Sequence, residues 1–140
     1  MRKKPIWIIP FAVYLLILLR ITVFRSGWYQ NDFFSGTFVL IPFQTVFSYL
    51  TSGQIGYFLY LFVGNLIWFV PFGFFLRFTG VKAWKAILLT AALSAMIETL
   101  QFVFTSGCTE TEDVLLNTLG GVIGVGIAQI CLKICKKTEQ

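Results

Sequence analysis

Glu98 is the residue best placed to do chemistry, because of what surrounds it. The stretch 83–104 carries no other charge beyond Lys85 near its start, and about 20 such residues suffice to cross a bilayer as a helix. A carboxylate held in hydrocarbon costs on the order of 3 kcal/mol, so such groups face a bundle interior or a cavity and serve ion handling, proton handling or pairing. The neighbours repeat at helical spacing. Thr90, Ser94, Glu98, Gln101 and Thr105 recur every three or four residues and share one face. Lipid cannot satisfy that polar stripe, so it must meet other helices or enclosed water. Its hydroxyls need no more than an interhelical role.

Several residues elsewhere could complete a site with Glu98. Arg20 is a candidate ion-pair partner, since counting about 1.5 Å per residue from the outer helix ends brings the two to similar depths. The alternative is that Arg20 snorkels to the interface. Asn65 lies in the middle of 55–78, ahead of Pro71, which cannot donate to residue 67 and crowds its carbonyl. A local opening is expected there, with Asn65 bonded across to the polar stripe or acting only as glue between helices. Glu110, Glu112 and Asp113 precede the last apolar run, where carboxylates complement a helix N-terminus. Capping explains one of the three; three together also resemble a weak cation or cationic-ligand site. Asn117 lies just inside. Gly120, Gly124 and Ala128 form a small-residue face that admits another backbone. Packing within the chain is the expectation, with a dimer face as the alternative, so the oligomeric state stays open.

The candidate polar core is therefore Glu98, Gln101, Asn65, Asn117, Asp113, Glu112, Glu110 and Arg20. No catalytic group is assigned. The chain has no His and no CxxC; Cys131 and Cys135 stand one turn apart and Cys108 stands alone. Neither a metal nor a cofactor is expected from that inventory.

The elements that must position these residues are membrane helices. Hydrophobic residues make up 57% of the chain and charged ones 12%, against roughly 25% charged in a soluble domain. Four runs are long enough to span, at about 6–24, 55–78, 83–104 and 114–134. The first resembles a signal peptide, but Arg20 and Arg25 follow where a small-residue cleavage site would stand, so it reads as an uncleaved span. The region 34–50 is aromatic but broken by Gly36 and Pro42. It is expected to lie at the outer interface as a greasy helix, with a re-entrant loop as the alternative. The fold class is an all-α membrane domain covering 1–140.

The net charge of +5 does not imply nucleic acid. The bases cluster beside the apolar runs: Arg2, Lys3 and Lys4; Arg77, Lys82 and Lys85; Lys133, Lys136 and Lys137. That is the pattern of cytoplasmic helix flanks, and it puts both termini in the cytoplasm. Asp32, Glu110, Glu112 and Asp113 all fall on the other side.

Asn65-x-x-x-Phe69-x-Pro71-x-Gly73, then Glu98-x-x-Gln101, then the run from Glu112 and Asp113 through Asn117-Thr118-Leu119-Gly120-Gly121 together resemble the VanZ-like family. Leu40-Ile41-Pro42-Phe43 also fits its pattern, and the resemblance covers nearly the whole chain. The Asn-Thr-Leu-Gly-Gly block downstream of Glu-x-x-Gln is its most specific part. One departure stands out. The family usually has Asp residues in the acidic stretch, often with an Arg before it; here 107–113 has Glu110 and Glu112 and no Arg. The resemblance implies a small multi-helix protein of the bacterial cytoplasmic membrane, linked to resistance to teicoplanin-type glycopeptides and lipoglycopeptides.

Three functions follow. The first modulates the envelope's response to such antibiotics, through an outward-facing polar pocket for an amphiphile. Its partners would be membrane lipids, and a lipophilic glycopeptide or a lipid-linked wall precursor. The second is a proton-coupled small multidrug exporter using Glu98. The third is an intramembrane enzyme acting on a lipid-linked headgroup. The absence of His, of a Ser-Lys dyad and of bases near the outer acids leans against an enzyme.

Overall fold

The structure is a computed structural model that describes residues 8–24, 34, 37–105 and 108–138. Arg2, Lys3, Lys4, Arg25, Asp32 and Gly36, all used above, lie outside these residues. The elements run α1 (Ile8–Thr22), β1 (Phe38–Val39), α2 (Gln44–Thr51), α3 (Ile55–Phe78), α4 (Ala83–Val103), β2 (Thr109–Glu110) and α5 (Thr111–Thr138).

Three of these helices, α3, α4 and α5, are long and apolar enough to cross a membrane. The first expected span begins in residues outside those described, and its described helix is Ile8–Thr22. Its 15 described residues reach about 22 Å at ~1.5 Å per residue, less than a hydrocarbon core. The second span has the expected bounds. The third ends one residue early, and the fourth is longer than 114–134, so Glu112 and Asp113 lie inside its first turn.

Apolar exterior and polar interior are both visible. Ile67, Leu88, Ile123 and Ile130 point outward and are exposed, whereas Thr90, Ser94, Glu98, Glu112 and Asn117 are buried. That inversion suits a protein whose solvent is lipid. A compact apolar core also exists where α1, α3 and α4 meet, built on Leu18, Val23, Phe69 and Ile97.

Glycines set the helix ends and the helix spacing. At the end of α3, Gly80 takes φ 102°. Its N–H bonds to the Arg77 carbonyl, while the Val81 N–H bonds to that of Leu76. This pair of bonds closes a helix over a left-handed residue, and the short turn sends α4 back antiparallel to α3. In α5 the small-residue face packs within the chain, against α3. A Cβ on Gly120 would strike the Leu66 carbonyl, and one on Gly124 would strike the Val70 carbonyl and the Phe74 nitrogen. Gly73 of α3 lies against Gly121 in the same way. The two helices run parallel with their backbones in contact.

The region 34–50 is not one interfacial helix. Phe38 and Val39 pair in parallel with Thr109 and Glu110, and the chain then turns at Phe43, φ 64°, into the short α2. The physical reason is the partner strand. The backbone groups of 38–39 find donors and acceptors in the loop before α5, and Pro42 blocks a helix from running through.

Candidate functional site

The polar stripe of α4 forms as far as its helix does. Thr90, Ser94 and Glu98 are buried, and Gln101 is half-buried. Thr105 falls beyond the end of α4, with φ 50°, so it leaves the stripe. Ser94 Oγ accepts from Asn117 Nδ2 at 2.8 Å, tying α4 to α5 at mid-helix. Gln101 Nε2 donates to the Thr22 carbonyl at 3.2 Å, tying α4 to the end of α1.

Glu98 does not pair with Arg20. Its Oε2 accepts from the Glu110 backbone N–H at 3.0 Å, and its own backbone carbonyl accepts from Thr109 Oγ1 at 3.1 Å. Glu98 thus holds β2 from beneath. Arg20 is exposed, and its Nη1 donates to the Phe24 carbonyl of its own chain end. The reason is reach: the loop 108–110 folds over Glu98 and brings it a backbone donor, so no cation is needed.

Asn65 also departs from expectation. Its amide donates to Asp113 Oδ1 at 2.5 Å rather than to the α4 stripe. Asn65 stands ten residues into α3, about 15 Å from its start at ~1.5 Å per residue. The acidic end of α5 therefore lies level with the middle of α3 and not with its N-terminal end.

The other two acids bind α2. Glu112 Oε1 accepts from the Val46 backbone N–H at 3.2 Å, and Glu110 Oε1 accepts from Thr45 Oγ1 at 3.2 Å. The N-cap residue of α2 is Phe43, which has no side-chain cap bond. Glu112 supplies that cap from another helix. Thr45, Val46, Thr22 and Thr109 were not among the expected site residues. The one signal in the sequence is negative: α2 begins without Ser, Thr, Asp or Asn at its cap position, so its free N–H groups need a donor's partner from elsewhere. The Glu110 carboxyl, just outside α5, is pushed up to about 7 from the usual 4.5, first by burial and then by the charges of Asp113 and Glu112.

A half-open cleft of about 660 Å³ lies beside this cluster. Arg20, Tyr60, Asn65, Trp68, Gln101 and Asp113 line it. It is bounded by the end of α1, the N-terminal part of α3, the end of α4 and the start of α5, with the Asp113 carboxylate and the Arg20 guanidinium both in its lining. Gln101 Oε1 is buried with no hydrogen-bond donor among the described residues. Of the eight expected residues, four line the cleft. Glu98, Glu110, Glu112 and Asn117 stand outside it and support it.

The family model described as VanZ/LLP1 matches residues 11–132. The chain belongs to the VanZ/LLP1 family. One curated relative is Protein VanZ of Enterococcus faecium, 35% identical over 65 residues, covering 45% of this chain. The match spans about 40% of that protein's length. No solved structure matches. The cleft, the buried Asn117–Ser94 bond and the acidic end of α5 all fall within the matched VanZ/LLP1 region.

Proposed function

We propose that this VanZ/LLP1 chain is a multi-pass protein of the bacterial cytoplasmic membrane that modulates the envelope response to teicoplanin-type glycopeptides and lipoglycopeptides. Family membership supports the general kind, since the VanZ family is linked to glycopeptide resistance. In this reading both termini are cytoplasmic and the cleft faces outward. It receives the polar head of an amphiphile whose apolar tail stays in lipid between α1 and α3. The amphiphile is a lipophilic antibiotic or a lipid-linked wall precursor.

The observation that carries the proposal is the lining of the cleft. Arg20 offers a cation, Asp113 an anion, Gln101 an unserved oxygen, and Tyr60 and Trp68 aromatic walls. Few polar groups on an aromatic surface is the usual make-up of a small-molecule site. Glu98 is 3% exposed and does not line the cleft, so it acts as a support for β2 rather than as the exporter's carrier group.

Teicoplanin susceptibility of a sensitive host tests the proposal. Cells expressing the wild-type chain should be protected. Gln101→Ala and Trp68→Ala should lose protection at equal membrane abundance, while the lipid-facing Ile130→Ala should keep it. Equal protection by all three variants would remove the cleft from the mechanism. Glu98→Gln keeps an oxygen for the Glu110 N–H and should retain protection.

A further inference from the structure

Carboxylates from two separate elements crowd together at the head of α5. Oxygens of Glu110, Glu112 and Asp113 all lie within 4.8 Å of one another, and Glu98 approaches from α4 through the Glu110 N–H. Glu112 is 1% exposed. One of its oxygens takes the Val46 N–H, and the other, Oε2, is buried with no donor among the described residues. Further along α5, and on another face, Asn117 is 4% exposed and its Oδ1 has no donor among the described residues. A buried carboxylate oxygen without a donor is destabilising, and adjacent anions at low dielectric add repulsion. Among the described residues no N–H donor reaches Glu112 Oε2, so either a bound cation or a proton shared with Glu110 must relieve it.

We propose that Glu110, Glu112 and Asp113 bind one divalent cation, with calcium preferred over magnesium. The ligands are all oxygens, which suits a hard cation and not a soft one. Size separates the two ions. Oxygens on opposite sides of Ca²⁺, at ~2.3–2.6 Å each, stand up to about 5 Å apart, against about 4 Å for Mg²⁺. Separations of up to 4.8 Å lie within the span of calcium, whose irregular oxygen coordination also suits ligands fixed on β2 and a helix head better than magnesium's strict octahedron does. The bound ion would also fix β2 and the start of α2, because Thr45 and Val46 hold the same two glutamates. This inference is independent of the antibiotic proposal, since it concerns binding of the ion alone.

The test is calcium binding to the full chain, purified in a non-ionic detergent and stripped with chelator, by isothermal titration. One Ca²⁺ per chain is expected, with a dissociation constant on the order of 10⁻⁴–10⁻³ M as in extracellular calcium modules. Mg²⁺ should bind at least about tenfold more weakly. Glu110→Gln and Asp113→Asn should each weaken calcium about tenfold or more while the helical circular dichroism is kept. Glu112→Gln preserves the acceptor for Val46 and should do the same. Absence of saturable binding by the wild-type chain overturns the proposal, whether or not any variant folds. So does binding that is unchanged in the Glu110→Gln and Asp113→Asn chains. If lowering the pH alone raises stability and calcium has no effect, a shared proton and not a metal relieves the cluster, and the proposal is overturned.

Discussion

Replacing Gly124 by alanine should separate the two parallel helices. A Cβ built there lies 2.7 Å from the Phe74 nitrogen and closer still to the Val70 carbonyl oxygen. Both obstacles are backbone atoms inside α3, so no rotamer change can clear them. Reaching ordinary contact near 3.4 Å requires α3 and α5 to part by at least about 0.7 Å at this level. Gly73 and Gly120 sit in the same interface, each against opposing backbone, so the shift spreads along the seam. Overpacking of this kind costs about 1–3 kcal/mol, and backbone-on-backbone collision belongs at the upper end. Gly126→Ala is the control: nothing stands within 4 Å of its added Cβ, and alanine is the better helix former. Reversible unfolding in mixed micelles, followed by circular dichroism against the mole fraction of dodecyl sulfate, measures both. Gly124→Ala should unfold at clearly lower dodecyl sulfate and Gly126→Ala at the wild-type fraction or above. Equal midpoints for Gly124→Ala and wild type would refute the close approach of α3 and α5.

Other perturbations read other contacts. Glu98→Ala removes the acceptor of the Glu110 N–H and should destabilise by about 1–3 kcal/mol, with faster proteolysis near 108–110; Glu98→Gln should cost less, and equal stability of the alanine variant would disprove the tether. Ser94→Ala removes the one side-chain hydrogen bond that Asn117 makes among the described residues and should cost about 0.6 kcal/mol, the average for such bonds in membrane bundles, checked in the same micelle titration. For pH, Glu110 has a folded-state value of about 7 against an ordinary 4.5. The folded chain therefore holds a proton that the unfolded chain has released across that window. Its contribution is greatest below about 4.5 and is lost as pH rises through 7. In chelator the midpoint should fall from pH 5 to pH 8, and Glu110→Gln should flatten the profile; a wild-type profile already flat would contradict the crowding of Glu112 and Asp113 around Glu110.

The helices were legible because the period of 3.6 and the length of the apolar runs leave few alternatives. The stripe through Thr90, Ser94 and Glu98 was legible for the same reason: a polar face on a membrane helix must turn inward. Partner assignment was not. Charge complementarity suggested Arg20 for Glu98, but the partner is a backbone N–H of Glu110, and side-chain identity carries no record of it. The same applies to Glu112, whose partner is the Val46 N–H. Asn65 found Asp113 and not α4, because the parallel packing of α3 on α5 sinks the α5 head into the bundle, and only the register of Gly73, Gly120 and Gly124 against α3 sets that depth. The segment 34–50 misled for a related reason: an apolar run broken by Pro42 has the composition of an interfacial helix, yet its strand partner lies some 70 residues away.

That distant pairing bears on how the protein is made. Phe38 and Val39 leave the ribosome about 70 residues ahead of Thr109 and Glu110, which at ~5–20 residues per second is roughly 4–14 s. Throughout that interval β1 lacks its strand mate, and the Val46 N–H lacks the carboxylate that caps it. The α2 region can therefore reach its final contacts only once residues 109–112 have been made, which makes it a late element to settle. Ribosome-stalled chains truncated before Thr109 should be cut readily by protease between 37 and 51, and full-length chains should not.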